Sequence, residues 1–552
     1  MRMRLLGLIL SLSLVACGGG GGSSAGNQGA LMPSTTTASD GRSRQVSARC
    51  SFSQTLGSAR ADNLRIDRVS WVQTVELSAD SNNTRLIAGK PVLVRVDLLA
   101  NVASAAPSTA YLLVSSATAN SCTRINLAGP ASVPTVRDPQ TLSSAFSANI
   151  PATLIQPDVS LSIVFDDARG RTVSEADNTY RVYDLPVQPA LMETVRVIPV
   201  TYRGQNGFVS NTDDLAALMM RLHPITRFNL QAEPAFAPPS LNQSVLGLFA
   251  TGQESFITMQ AVLAELDDEC ARRNGSQNSA RTAPKCLGVF PNNLTFRSAA
   301  SNGSIVGLAY VGGVTMLTQS VSATDAFSVV SPYNNTHWLD FRALTVAHEY
   351  GHLLNLNHAA CGGPTDTDPR LYADGRLGGG AGYDSARNFY FSSQRLASDG
   401  QPQFGDLMSY CAKEWSSDRG YLAELSYRGA GSARVASATA SEPGDAAAES
   451  APERSRWLKI SLSGGNWQLR PVDFTPATLR ITDLVMQAQS ATGQRSLPVY
   501  AAVLSDVPQG ISQGPYFVDL GEFSPQQLNL AGLSVNNVLA NIIWSAGEWT
   551  SR

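Results

Sequence analysis

The chain has 552 residues, which is too long for one hydrophobic core and indicates about three domains. Hydrophobic residues make up 43% and charged residues 15% of the chain, which excludes a mostly disordered protein. A formal net charge of -3 excludes a nucleic-acid binder that works through bulk positive charge. Histidine is rare, at five residues in the whole chain, so the positions of the histidines carry information.

The N-terminus has the composition of an export signal. Arg2 and Arg4 precede an apolar run over residues 5–15, which is too short to span a bilayer as a stable helix. The run ends in Leu-Val-Ala-Cys17, which resembles the lipobox of bacterial lipoproteins. In that class the signal is cut before the cysteine, which then receives lipid. The alternative is an ordinary secretory signal followed by a chance cysteine.

We therefore expect residues 1–16 to be a lipoprotein signal peptide and Cys17 to be the lipidation site. Residues 17–49 begin with a glycine run and stay rich in Gly, Ser and Thr, which predicts a flexible tether. Gly18 after the cysteine favours the outer membrane, by resemblance to Gram-negative sorting rules. We therefore expect the protein in a bacterial cell envelope, where an N-terminal lipid anchor attaches it to the membrane.

Six cysteines remain after Cys17, and an even number in an exported protein indicates disulfides. Fifteen pairings are open to six cysteines. The most local pairing is preferred, and it predicts the following bonds: Cys50–Cys122, Cys270–Cys286 and Cys361–Cys411.

Short strands separated by turn residues occupy residues 50–186 and predict an N-terminal β-sandwich. Residues 192–427 mix strand and helix patterns, which predicts an α/β or α+β domain. Within it we expect a strand at Thr194–Tyr202 and helices at Asn211–Leu222 and Ser255–Arg272. Two further segments complete the expected organisation: an Ala/Ser-rich linker at 428–456 and a second, sandwich-like β domain at 457–552.

The candidate chemistry lies at residues 344–358, which read LTVAHEYGHLLNLNH. His348 and His352 are four residues apart, so on a helix both imidazoles point to one side. Two neutral imidazoles suit zinc, and the intervening Glu349 can reach a water molecule beside the ion. This is the HExxH pattern of metalloproteases.

A third histidine, His358, follows six residues after His352. One straight helix cannot aim it at the same ion, so the helix must end and the chain must turn. Asn355 is placed to make that turn, because after glycine it is the residue that most often adopts the left-handed conformation. The three histidines predict one zinc ion per chain.

The resulting pattern HExxHxxNxxH resembles that of the metzincin metalloproteases, HExxHxxGxxH, with Asn355 in place of glycine. The resemblance implies Glu349 as the general base. It also implies a Met-turn, which Met408 in FGDLMSYC matches, and a tyrosine two residues later, Tyr410, that ligates zinc or stabilises the oxyanion. The layout of an export signal and flanking β regions is similar to that of bacterial secreted or lipoprotein metzincins, including mucin-cleaving ones.

Two further segments near the motif leave alternatives open. Residues 304–317 resemble the metzincin edge strand that binds an extended peptide, although an ordinary core strand fits equally well. The loop after Cys361 contains Asp366, Asp368, Asp374 and Asp384, which are either a Ca²⁺ site or solvated carboxylates. The remaining two histidines, His223 and His337, are expected to be structural or at the surface.

These features predict an enzyme, a zinc endopeptidase whose partners are protein or glycoprotein substrates and the membrane, with no nucleic acid. We expect a monomer. The rival hypothesis is a surface adhesin or glycan-binding lipoprotein with a vestigial metalloprotease site. A third hypothesis is a metzincin held latent by its N-terminal segment. Cys50 could cap the zinc as a thiolate there, although a disulfide to Cys122 is the simpler expectation for it.

Overall fold

The structure of the protein is a computed structural model. It describes residues 36–37, 43–44, 50, 52, 56–58, 61–78, 85–116, 121–172, 179–182, 185–242, 253–275, 283–297, 304–322, 341–364, 366–378, 380–393, 395–396, 403–411, 413–438, 457–463, 466–472, 479–490, 493–505, 516–520, 529–535, 538–540, 542–545 and 548–551. The signal peptide and Cys17 lie outside these residues. None of the helices that the structure describes has the length and apolar character needed to cross a bilayer.

The chain divides into two compact units, Met1–Val46 and Ser47–Arg552. In the first unit, two short strands pair antiparallel, Thr36–Thr37 and Ser43–Arg44. The second unit is β-rich and built from several sheets, as the sequence predicts.

Two four-stranded antiparallel sheets lie first in the second unit. The strands of one sheet are, in spatial order, Phe146–Ile150, Val92–Ala100, Leu64–Val72 and Glu76–Ser78. Those of the other are Thr179–Val182, Val159–Asp166, Thr109–Ser116 and Ser121–Asn126. Both sheets contribute side chains to one buried core, with Trp71 and Val94 from the first and Leu112 and Ile163 from the second. Short elements complete this region: Leu86–Ile87 paired with Val187–Gln188, Ser104–Ala105 with Ser132–Val133, and a 3-10 turn at Ala152–Leu154.

A five-stranded sheet forms the centre of the second unit. Its strands are β1 Met192–Pro199, β2 Arg227–Ala232, β3 Lys285–Phe290, β4 Gly307–Ala309 and β5 Thr315–Gln319. They lie in the order β2-β1-β3-β5-β4, and only the edge strand β4 runs antiparallel to its neighbour.

Five helices accompany this sheet: α1 Thr212–Leu222, α2 Pro239–Asn242, α3 Phe256–Asn274, α4 Phe341–Leu353 and α5 Asp418–Ala438. Side chains alternate between the two faces of a strand, so Val197 packs with α1 and α4 while Ile198 packs with α3. Side-chain caps begin two of the helices, because Asn211 accepts from Asp214 N at 3.1 Å and Ser255 accepts from Thr258 N at 3.1 Å. The helix α4, which carries His348, thus packs against the sheet and against α1.

Small strand pairs surround the central sheet: Thr201–Tyr202 with Gln205–Asn206, Gly382–Asp384 with Phe389–Phe391, Gly405–Asp406 with Glu414–Trp415, and Gln253–Ser255 with Thr295–Arg297 and Ser304–Ile305. The N-terminal sheets pack directly on this region. Thr74 Oγ1 donates to the carbonyl of Arg221 at 2.7 Å, and Trp415 Nε1 donates to the carbonyl of Thr74 at 2.9 Å.

The helix α5 extends into the segment that the sequence predicts as a linker. The sequence places a linker from Arg428, but α5 continues to Ala438. At the start of this segment, the Arg428 guanidinium bonds Glu193 Oε2 of β1 at 2.7 Å. Arg428 is therefore attached to the central sheet.

Within the described part of residues 457–551, the strands form one nine-stranded antiparallel sheet, whereas the sequence predicts a sandwich-like domain. In spatial order the strands are Val538–Ala540, Asn529–Val535, Leu479–Ser490, Gly493–Ala502, Tyr516–Asp519, Trp457–Ser463, Asn466–Val472, Glu548–Ser551 and Ile542–Ser545. Short strand patterns predict antiparallel pairing but do not reveal how many sheets the strands form, because that depends on long-range partners.

Candidate metal centre

Three histidines converge at the C-terminal end of α4. The potential ligand atoms of His348, His352 and His358 all lie within 4.8 Å of one another, and the Nε2 atoms of His348 and His352 are 3.1 Å apart. His348 is 9% exposed and the other two are fully buried. Among the residues that the structure describes, this is the one group of histidine, cysteine or acidic side chains that can hold a metal ion.

The turn after α4 brings His358 back to the other two histidines. Asn355 has a φ of +68°, in the left-handed region. Its N–H donates to the carbonyl of His352 at 2.8 Å, and Leu356 N–H donates to the carbonyl of Gly351 at 3.2 Å. These two bonds form a Schellman motif with Asn355 at its left-handed position. Asn355 therefore lies at the turn that ends α4 and directs the chain toward His358.

Each histidine ring is oriented by an acceptor at its Nδ1 atom. His348 Nδ1 lies 2.9 Å from the carbonyl of Leu407, His352 Nδ1 lies 2.7 Å from the carbonyl of Leu356, and His358 Nδ1 lies 2.6 Å from Asp366 Oδ1. Carbonyl oxygens accept but cannot donate, so in the first two rings Nδ1 carries the proton. A carboxylate imposes the same tautomer on His358. In neutral rings, all three Nε2 atoms then carry an unshared electron pair.

This arrangement fits a bound metal ion. Two unprotonated Nε2 atoms 3.1 Å apart repel each other unless a cation lies between them. Two nitrogen ligands on a tetrahedral zinc ion, each 2.0–2.1 Å from it, are separated by about 3.3 Å. Burial, followed by the neighbouring charges of His358 and His348, lowers the pKa of His352 well below its ordinary value, which keeps that ring neutral. The three histidines can thus hold a metal ion.

The Met408 side chain lies beneath the histidine helix. A Cβ atom built on Gly351 would lie 2.4 Å from Met408 Sδ, so the absence of a side chain at Gly351 allows this approach. The carbonyl of Met408 also accepts from Ala359 N at 2.8 Å. Met408 is 1% exposed and packs with Leu356 and Leu371. It therefore supports both the helix and the segment that carries His358.

Tyr410 faces the centre from its open side. Its Oη atom lies 2.8 Å from His358 Nε2, and the tautomer of His358 makes the tyrosine the donor. The side chain is 46% exposed, so it contacts both the centre and solvent. Its backbone N–H donates to the carbonyl of Cys361 at 3.0 Å, beside the Cys361–Cys411 disulfide.

Glu349 is 2% exposed and is held between two backbone segments. A Cβ atom on Gly307 of β4 would lie 2.2 Å from Glu349 Oε1, so only glycine allows the edge strand to approach this closely. On the other side, Ser505 Oγ donates to Glu349 Oε2 at 3.2 Å. The sequence contained no signal for Ser505, which lies 156 residues away in the chain.

The edge strand β4 is not fully open. Its neighbour Tyr310 forms an antiparallel bridge with Leu504, and Val311 N donates to the carbonyl of Val503 at 3.0 Å. The edge at residues 309–311 is thus already paired with chain from the C-terminal region, and peptide binding there would compete with that pairing.

The six cysteines form the three bonds that local pairing predicts: Cys50–Cys122, Cys270–Cys286 and Cys361–Cys411. The pairing of Cys50 with Cys122 leaves no thiolate at Cys50 to cap a metal ion, so latency by that cap is contradicted.

The loop aspartates have protein partners instead of forming a common site. Asp366 bonds His358, and Asp368 bonds Arg370 and accepts from Asn357 N at 3.0 Å. Asp374 bonds Arg376, and Asp384 bonds Arg221 and Arg387. These contacts give no support to a Ca²⁺ site, and the burial of Asp368 and Asp384 does not fit the alternative of solvated carboxylates either. The role of Asp366 at His358 was missed, although its short distance from His358 in the chain was an available signal.

Of the two other histidines, the structure describes His223. His223 is fully buried and its Nδ1 lies 3.0 Å from Glu424 Oε2, which is the structural role expected for it. His337 lies outside the described residues.

Comparison with known proteins gave no assignment. No model of a known protein family matches the chain, and no curated protein matches it significantly. Function is therefore inferred from the residues and their geometry.

Proposed function

We propose that this protein is a zinc-dependent endopeptidase of the metzincin type, anchored to a bacterial envelope. One observation carries the proposal: three unprotonated Nε2 atoms converge, and a buried glutamate follows the first of them on the same helix. The turn at Asn355 and the methionine beneath Gly351 agree with the metzincin pattern as well.

His348, His352 and His358 would hold the ion, and three neutral imidazoles favour zinc among the common divalent metals. Bound there, zinc would act as a Lewis acid that polarises the scissile carbonyl and lowers the pKa of a water molecule. Glu349 takes a proton from the attacking water and passes it to the leaving amine nitrogen. The Tyr410 hydroxyl lies 2.8 Å from His358 Nε2. When the ion takes up the electron pair of that nitrogen, the hydroxyl would donate instead to the oxyanion that develops on the substrate.

The substrates we propose are extracellular or envelope proteins, including glycoproteins. The export signal, the lipobox at Cys17 and three disulfides support an oxidising location outside the cytoplasm, at the outer membrane. No feature of the described residues favours a second function over this one. The adhesin hypothesis remains the rival from another class of protein.

The test compares wild type with Glu349→Gln and with Glu265→Gln, a matched variant. Glu265 is also a buried glutamate, 5% exposed, but it bonds Ser240 at 2.7 Å. Elemental analysis should find one zinc ion per chain in all three proteins. Cleavage of a peptide library and of glycoproteins should fall at least about a hundredfold in Glu349→Gln only.

Two results would reject the proposal. One is a wild-type protein that holds no metal or cleaves nothing while it binds glycans, as the adhesin hypothesis expects. The other is a Glu349→Gln variant that cleaves as fast as wild type.

A further inference from the structure

The segment Val503–Ser505 pairs with the edge of the central sheet through an isolated antiparallel bridge between Tyr310 and Leu504. It follows the strand Gly493–Ala502 of the C-terminal sheet and runs antiparallel to the outer edge of β4. Ser505 N donates to the carbonyl of Ala309 at 2.9 Å, and Val311 N donates to the carbonyl of Val503 at 3.0 Å. Backbone bonds therefore determine the register at which Ser505 meets the site.

Packing also holds this segment in place. Leu504 is 9% exposed and belongs to the core between the central sheet and α3. A second contact between the same regions is the ion pair of Lys459 Nζ with Asp268 Oδ1 at 2.7 Å, to which Asp267 also contributes. Backbone hydrogen bonds and the buried side chain of Leu504 thus hold Ser505 at the edge of the sheet.

The Ser505 hydroxyl has one geometry that satisfies both of its contacts. Its Oγ atom accepts from Ala309 N at 2.8 Å, so its single hydrogen is available for Glu349 Oε2 at 3.2 Å. The Ser505 side chain is fully buried, so bulk water does not compete for these two hydrogen bonds. Gly307 limits the other carboxylate oxygen, Oε1, so the two backbone segments determine the orientation of the carboxylate.

We infer that Ser505 is a positioning residue for Glu349, and that the C-terminal region completes the active site of the enzyme. This inference depends on the proposed function, in which Glu349 is the general base. Groups that orient a catalytic side chain typically change activity 10- to 100-fold when removed, without contacting the substrate. Ser505 should therefore affect turnover and leave substrate binding and metal content nearly unchanged.

The experiment uses the full chain, with Ser505→Ala, Ser505→Thr and the matched variant Ser320→Ala. Ser320 is also fully buried, donates to the carbonyl of Phe290 at 2.8 Å and accepts from Phe208 N at 3.1 Å. Replacing it removes the same number of hydrogen bonds without touching Glu349. The variants are compared by steady-state kinetics on one cleaved peptide, by zinc content and by thermal unfolding.

We expect kcat of Ser505→Ala to fall 10- to 100-fold, with KM within about twofold and one zinc ion retained. Ser505→Thr restores the hydroxyl and should recover most of the activity, and Ser320→Ala should cleave like wild type. The inference is wrong if Ser505→Ala keeps its kcat, if folded Ser505→Thr is as slow as Ser505→Ala, or if Ser320→Ala loses as much. Failure of the proposed function is distinct, because wild type would then show no cleavage that depends on Glu349.

Discussion

Asp366 Oδ1 lies 2.6 Å from His358 Nδ1, on the side of the ring opposite the centre. The carboxylate fixes the tautomer of the ring and raises the basicity of the Nε2 atom that faces the other histidines. It is also the one acidic acceptor among the three, because His348 and His352 use backbone carbonyls. A side-chain acceptor can be removed by mutation.

Replacing Asp366 by alanine should weaken metal binding 10- to 100-fold, because His358 loses the group that orients it. Competition with a chelator of known affinity measures this change. The matched control is Asp374→Ala, since Asp374 is 54% exposed and bonds only an exposed arginine. Equal metal affinity in both variants would contradict a role for Asp366 at the centre.

Replacing Gly307 by alanine should lower activity at least about tenfold while the metal is retained. The added Cβ atom would lie 2.2 Å from Glu349 Oε1 and 2.7 Å from Thr345 Cγ2, so the glutamate side chain must move. Kinetics and zinc content distinguish this from loss of the site. Gly420→Ala is the control, because its nearest atom would be 3.3 Å away. Normal turnover in folded Gly307→Ala would show that the position of Glu349 is not critical.

Replacing Asn355 by alanine should lower the free energy of unfolding by about 1 kcal/mol, because a residue with a Cβ atom and no local polar group is strained at positive φ. Asn355→Gly should not be destabilised, since glycine adopts this conformation without a steric penalty. Urea denaturation of the metal-loaded proteins measures both changes. Equal losses in the two variants would indicate that the asparagine side chain, rather than its backbone conformation, stabilises the turn.

The stability of the metal-free protein should fall as the pH decreases below about 6.5. Burial first, and then the charges of His358 and His348, lowers the pKa of His352 in the folded state. In the unfolded chain the same ring takes up a proton near pH 6.5. Between these two pKa values the unfolded state binds more protons, so acid favours unfolding, by up to about 1.4 kcal/mol per pH unit for this one group.

Chemical denaturation between pH 8 and pH 5 measures this dependence, and His352→Gln should reduce its slope. Protons also compete with the metal for the same nitrogen atoms, so added zinc should shift the loss of stability to lower pH. A slope that is unchanged in His352→Gln would assign the acid sensitivity to other groups.

Local sequence was sufficient for the parts of the centre that lie close together in the chain. The spacing of His348 and His352 identifies one face of a helix, and Asn355 identifies the turn, because both depend on backbone geometry over a few residues. Cys361 and Cys411 were also predicted as partners from their proximity in the chain.

Contacts between distant segments could not be predicted in this way. The boundary of α5 at Ala438, the single C-terminal sheet and the contact of Ser505 with Glu349 depend on which segments pack together in the folded chain. Ser505 cannot be told apart from other serines in the sequence, because its role depends on the pairing of a distant segment with the edge of β4.

The sequence by itself placed the three histidines and the adjacent glutamate in one motif and predicted the export signal, since each pattern consists of residue types at short spacing. Only the tertiary structure decided what orients those side chains. Asp366, Gly307 and Ser505 act through positions that long-range packing creates, and hydrogen bonds of about 3 Å cannot be inferred before the packing is known.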